Sequence, residues 1–111
     1  MPTYKLIVLS RPVAGREDEY NDWYQNTHLQ QVVTIDGFRS AQRFRLREGL
    51  SEDGAAAPYV VIYEIESDNP SAALAELKRR AGTALLPISN SLAPGTVAAL
   101  YEECGPPVTR R

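Results

Sequence analysis

Two runs in this chain, Tyr4–Ser10 (YKLIVLS) and Tyr59–Glu66 (YVVIYEIE), are apolar on both faces and rich in β-formers. Runs of this kind, bounded by turn residues, read as strands. Each leads into a helical segment, and each helical segment leads toward another strand. After the first run, Arg11-Pro12-Val13-Ala14-Gly15 breaks the chain. Arg16 to about Val33 reads as a helix, with Glu17, Asp18 and Glu19 in the first turn, where the dipole favours negative charge. Asp36-Gly37 ends the connection. Phe38 to about Arg47 alternates with period two, Phe38, Ser40, Gln42, Phe44 and Leu46 on one face and Arg39, Ala41, Arg43, Arg45 and Arg47 on the other, which is a strand pattern. Glu48–Ala57 is a polar, small-residue loop. Beyond the third strand, Asp68-Asn69-Pro70 combines an N-cap with proline at the first helical position. That helix runs to about Ala81 and stops at Gly82. Thr83–Pro94 is irregular, and Thr96–Cys104 reads as a fourth strand.

The order β-α-β-β-α-β is the ferredoxin-like plan of an α+β protein: a four-stranded antiparallel sheet with both helices on one face. The other face is then uncovered. With the first and third strands apolar on both sides, an open monomer exposes a contiguous apolar patch. A homodimer formed sheet to sheet is therefore expected. Arg43, Arg45 or Arg47 is expected to pair with Glu64 and Glu66, within a chain or across that interface. Residues 1–105 are read as one domain and 106–111 as a tail.

Composition removes several classes. A net charge of −2, from 12 basic and 14 acidic residues, argues against nucleic-acid binding, which usually shows a clearly basic surface. One cysteine and one histidine cannot supply the roughly four ligands of a structural zinc site, and no metal site is expected. No apolar run approaches the ~20 residues needed to span a membrane. The opening Met1-Pro2-Thr3 lacks a basic leader, and Cys104 has no partner for an internal disulfide, so a reducing cytoplasm is the expected location.

The chemistry concentrates in Trp23-Tyr24-Gln25-Asn26-Thr27-His28, which holds the only tryptophan and the only histidine. At about 100° per residue, Tyr20, Tyr24 and Thr27 fall within roughly 60° of one another, with His28 at the edge of the stripe and Trp23 beside it. The stripe is expected to face the sheet, where Ser40, Gln42 and Tyr63 can close a small-molecule pocket. Apolar walls with a few polar tips suit such a site. His28 is the natural general acid or base, because its unperturbed pKa lies near neutrality. Tyr24 is the second candidate catalytic group, able to hold a developing enolate. Tyr20, Trp23, Thr27, Ser40, Gln42 and Tyr63 are the candidate substrate-binding residues. The strand-2 arginines read as solvated or paired, and Cys104 as inert.

Tyr20-Asn21-Asp22-Trp23-Tyr24, then His28, then Gly37-Phe38 leading into Ser40-Ala41-Gln42-Arg43-Phe44 resembles the dimeric α+β barrel superfamily, and within it the EthD-like branch. That resemblance implies the ferredoxin-like protomer and a dimeric barrel. It associates the chain with polyketide cyclases, muconolactone isomerases and small monooxygenases. Proteins of that branch often carry proline two positions after the histidine; here the residue is Gln30. The leading functional expectation is a cofactor-independent lyase, isomerase or cyclase working by general acid–base chemistry on a hydrophobic carbonyl or aromatic compound. The alternatives are a cofactor-free monooxygenase acting on an electron-rich phenol and a non-catalytic small-molecule-binding protein.

Overall fold

A computed structural model describes residues 1–111. The four strands are β1 (Thr3–Ser10), β2 (Phe38–Arg45), β3 (Tyr59–Glu66) and β4 (Val97–Glu102). They form one sheet in the order β2-β3-β1-β4, with every neighbouring pair antiparallel. The first helix lies between β1 and β2. It is α-helical over Glu17–Trp23, π-helical over Tyr24–His28 and α-helical again over Leu29–Val32. The second helix is Pro70–Arg80. This is the ferredoxin-like plan read from the sequence.

Alternation along β1 and β3 divides the sheet into two faces. Leu6, Val8, Ser10, Val61, Tyr63 and Ile65 are buried on the helix side, together with Tyr20, Tyr24, Leu29, Val32, Ile35 and Phe38. Leu86, from the irregular stretch after the second helix, joins this core, and Ser91 is fully buried. That stretch is tied to the loop after β1 by Val13 N–H donating to Ser91 O at 2.7 Å and Ala93 N–H donating to Arg11 O at 3.0 Å. On the helix-free side lie Ile7, Leu9, Val60 and Ile62, all only partly covered. Phe44 (45%), Val97 (57%) and Tyr101 (55%) remain exposed there.

The strand-2 face read from simple alternation is corrected by the structure. Phe38 pairs with Ile65, but Ser40, not Arg39, pairs with Glu64, so a bulge shifts the register by one residue. An extra residue in a period-two strand sends every later side chain to the opposite face. Phe38 stays in the core. Beyond it Ala41 and Arg43 turn toward the helices, while Ser40, Gln42 and Phe44 turn to the helix-free side beside Lys5, Ile62 and Glu64.

The expected ion pairs are corrected in the same way. Glu64 pairs with Lys5 at 2.9 Å and Glu66 with Arg39 at 3.4 Å. Arg43, Arg45 and Arg47 form no ion pair with a carboxylate.

Candidate functional site

The π turn decides which side chains the first helix turns inward. Leu29 N–H donates to the carbonyl of Tyr24, five residues back, instead of to the usual fourth. A π turn advances less rotation per residue than an α turn and acts as a one-residue insertion. If one residue is subtracted inside Tyr24–His28, the buried positions Tyr20, Tyr24, His28, Leu29 and Val32 fall at i, i+4, i+7, i+8 and i+11. That is an ordinary apolar helix face. Without the subtraction, Thr27 takes the i+7 place. The structure therefore exposes Thr27 and buries His28, correcting the stripe read from a uniform period. The Gln25 carbonyl in this turn accepts a bond from the Gln30 side chain at 3.0 Å. The helix continues through the position where the EthD-like branch often has proline.

Trp23, Tyr24 and His28 make a compact aromatic cluster. The Trp23 and His28 rings are 4.5 Å apart and tilted by 31°. Tyr24 meets His28 edge-on at 5.2 Å and Tyr20 edge-on at 5.1 Å. His28 is 8% exposed, and its Nδ1 is buried without a hydrogen-bond partner. The indole Nε1 of Trp23 is likewise buried and unpaired. Burial disfavours the charged ring and pushes the His28 pKa down to about 4. At neutral pH His28 is therefore a neutral imidazole with a lone pair available. The opposite direction holds for the tyrosines: burial raises Tyr20, Tyr24 and Tyr63, and all three stay protonated. The Tyr20 hydroxyl and Ser10 Oγ are 2.6 Å apart in the core. Tyr63 reaches the same layer from β3 and packs edge-on against Phe38.

Arg43 is the residue that sequence reasoning missed. Its guanidinium lies over the rings of Tyr20 (5.6 Å), Tyr24 (5.1 Å) and Tyr59 (5.3 Å). Asn21 clamps it: Arg43 donates to Asn21 Oδ1 at 2.6 Å and to Asn21 O at 3.4 Å, while its Nε is buried and unpaired. In the sequence Arg43 is one of four arginines on one face of an alternating strand, a pattern that reads as solvated. The bulge, not visible in the alternation, decides which face it takes.

Two clefts flank the π turn. One, of about 300 Å³, lies between Gln25, Leu29, Gln30 and Val33 of the helix and Arg39, Ser40 and Ala41 of β2. The other, of about 180 Å³, is lined by Asn21, Gln25, Arg43, Phe44, Arg45 and Tyr59. His28, Trp23 and Tyr24 line neither. Of the candidate site residues, the structure brings Tyr20, Trp23, Tyr24, His28 and Tyr63 together. Thr27 faces outward, Gln42 lies across the sheet, and Ser40 lines both the larger cleft and the hollow on the helix-free side. No group of three or more histidine, cysteine or acidic side chains is arranged to hold a metal ion, and no helix is long and apolar enough to cross a membrane.

No protein-family profile matches this chain, and no curated protein sequence does. Solved structures do. A protein of Shewanella loihica PV-4, provisionally assigned as a monooxygenase, superposes with a TM-score of 0.63 at 14% identity, covering 95% of this chain and 97% of that one. The heme-degrader MhuD of Mycobacterium tuberculosis, solved with two hemes in its active site, gives 0.63 at 23% identity, covering 96% and 100%. An EthD (ethyl tert-butyl ether degradation) family protein of Bacillus halodurans gives 0.53 at 15%, covering 94% and 100%. The chain thus shares the ferredoxin-like α+β fold of these proteins, an EthD family protein among them. Fold alone does not assign chemistry.

Proposed function

We propose that this protein is a small oxygenase that oxidises an electron-rich phenol, such as a quinol or anthrone, with dioxygen. The observation that carries the reading is the buried, neutral imidazole of His28, stacked on Trp23 with Nδ1 unpaired. The monooxygenase assignment of a structural neighbour favours this chemistry over the lyase, isomerase or cyclase reading, which uses the same base. The phenol, or the enol tautomer of an anthrone, reacts as its anion; its proton passes to neutral His28, which, being held near 4, relays it to solvent rather than keeping it. The resulting anion passes one electron to dioxygen, and the radical pair combines to form the carbon–oxygen bond of a peroxide. Loss of the second hydrogen from that carbon then breaks the O–O bond and releases water. In sum, for an anthrone, one ring methylene and one dioxygen become one carbonyl and one water, and the substrate supplies all the electrons. Trp23, Tyr24 and Tyr63 form the apolar wall, where a desolvated anion gives up its electron more readily than in water.

Haem, the ligand of MhuD, needs an axial donor facing open space. His28, the only imidazole here, is packed against Trp23 and Tyr24 and opens on neither cleft, and the flanking clefts, of about 300 and 180 Å³, have room for a phenol but not for a haem macrocycle. For substrate to reach His28, the π turn between the two clefts has to give.

The second partner in this reading is another copy of the chain. Ile7, Leu9, Val60, Ile62, Phe44, Val97 and Tyr101 leave the helix-free face apolar, and stacking two such faces closes the barrel. Ile62→Asp is expected to convert the dimer to monomer in sedimentation. A wild-type chain that is monomeric at high concentration sinks the dimer.

Oxygen uptake with quinol and anthrone substrates tests the activity. Wild-type protein consumes oxygen in proportion to product, and His28→Ala lowers the rate by about 10²–10⁴. Turnover of the same substrates without oxygen uptake would return the assignment to the isomerase class.

A further inference from the structure

The cleft beside Arg43 is electrostatically one-sided. Two guanidinium groups, Arg43 and Arg45, line it, and no carboxylate does. The acids flanking Asn21 on its helix bind elsewhere: Glu17 Oε1 accepts from Gly15 N–H at 2.7 Å, Glu19 pairs with Arg16 at 2.6 Å, and Asp22 Oδ1 accepts from Asn26 Nδ2 at 2.7 Å. Arg43 carries five N–H donors; its two hydrogen bonds both go to Asn21, a neutral partner. Three tyrosine rings face the cation, but rings do not neutralise it. Arg43 is half-buried with its Nε enclosed, so its charge is partly desolvated without a counter-charge, and an anion would supply one. Asn21 holds the guanidinium in place, and its Nδ2 also donates to Glu17 O at 2.9 Å and Tyr59 Oη at 3.2 Å. The cation is thus fixed before any ligand arrives. Tyr24 touches both this cation and His28.

We infer that Arg43 binds the ionised oxygen of a planar aromatic ligand, a phenolate, which enters between Tyr59 and the π turn. Arg43 sets the site's preference for the anion over the neutral phenol, with Arg45 as the outer cation and Asn21 as the positioning residue. This deepens the oxygenase reading and rests on it for the identity of the ligand as substrate; the binding claim is testable alone. A guanidinium that accepts a bidentate or stacked oxyanion gives charge-assisted hydrogen bonds. An opposite charge at this range favours ionisation of the bound phenol by about tenfold or more.

The probe is 4-nitrophenol, whose phenolate absorbs at longer wavelength than the phenol and whose hydroxyl ionises near neutrality. Titrated with excess wild-type protein, the bound probe is expected to ionise about one pH unit below the free probe. Benzoate should displace it, whereas benzyl alcohol should not. Arg43→Gln, checked for folding by far-UV circular dichroism, should abolish the shift, and Arg43→Lys should keep part of it. The inference is overturned if the probe fails to bind wild type at millimolar concentration. It is equally overturned if the bound probe ionises where the free one does, or if folded Arg43→Gln keeps the full shift. Should Arg43→Gln not fold, the wild-type shift and the benzoate competition still decide. None of these readouts involves oxygen. A protein that binds phenolate but consumes no oxygen keeps this inference and loses the oxygenase reading. One that oxidises neutral compounds without the shift does the reverse.

Discussion

The two helices pack on the same sheet face but are held by different forces. The first buries Tyr20, Tyr24, His28, Leu29 and Val32, has no side-chain cap, and contains a π turn. The second buries only Ala73 outright, with Leu74 and Leu77 partly covered. It begins with Asn69 Oδ1 accepting from Ala72 N–H at 3.3 Å and ends in Lys78, Arg79 and Arg80, where cations suit the dipole. Arg79 and Arg80 both bind Glu76 at 2.6 Å, and those bonds hold its carboxyl down at about 2. One helix is fixed by tertiary packing and distorted at its centre. The other is fixed by local rules and is regular. The distortion sits where the buried aromatic contacts are, and such tertiary contacts can hold a helix out of its preferred geometry.

This contrast predicts a ranking of effects. Tyr24→Ala strikes the packed helix at its most connected ring and should cost about 3–5 kcal/mol in urea unfolding. A loss below about 1 kcal/mol would mean that the aromatic cluster does not hold the π turn. Next comes acid. His28 has a folded pKa of about 4 against an ordinary 6.5. Between those values the unfolded chain binds a proton that the folded chain does not. Stability therefore falls as pH drops from 6.5 through 4, by about 1–3 kcal/mol. His28→Gln should flatten that slope; an unchanged slope would assign it to other groups. On the second helix, Asn69→Ala should cost about 1 kcal/mol and leave activity intact. Smallest is salt: the Glu76 pairs are surface pairs, so moving from low to high ionic strength should barely shift the melting temperature. A large shift would show that the second helix depends on charge more than on capping.

Legibility in the sequence follows the same division. The order of elements could be read from the apolar and alternating runs along the chain, and both ends of the second helix from residues 68–82, because caps, proline and glycine act within one turn of chain. The aromatic cluster could be read as a composition, and His28 as its chemical member. What escaped were two single-residue irregularities. The bulge between Phe38 and Ser40 moved Ser40 and Gln42 off the helix side and brought Arg43 onto it. The π turn exchanged Thr27 for His28. Each is a counting shift produced by tertiary packing, and no local residue preference announces either. The uncompensated Arg43 was hidden by the same shift, since an arginine on an alternating strand is ordinarily solvated.

The first helix is one residue longer than its packing requires. The segments on either side of the π turn are already in phase with each other once that residue is discounted. Deleting Asn26, which is exposed and bonds only to Asp22 among side chains, should let Leu29 N–H find a partner four positions back and yield a continuous α-helix. The core contacts on both flanks would survive, while Gln25 and Gln30 would lose the geometry that parts the two clefts. The surplus residue is then dispensable for folding and specific to the mouth of the site, so a protein shortened there should keep its melting temperature and change what it admits.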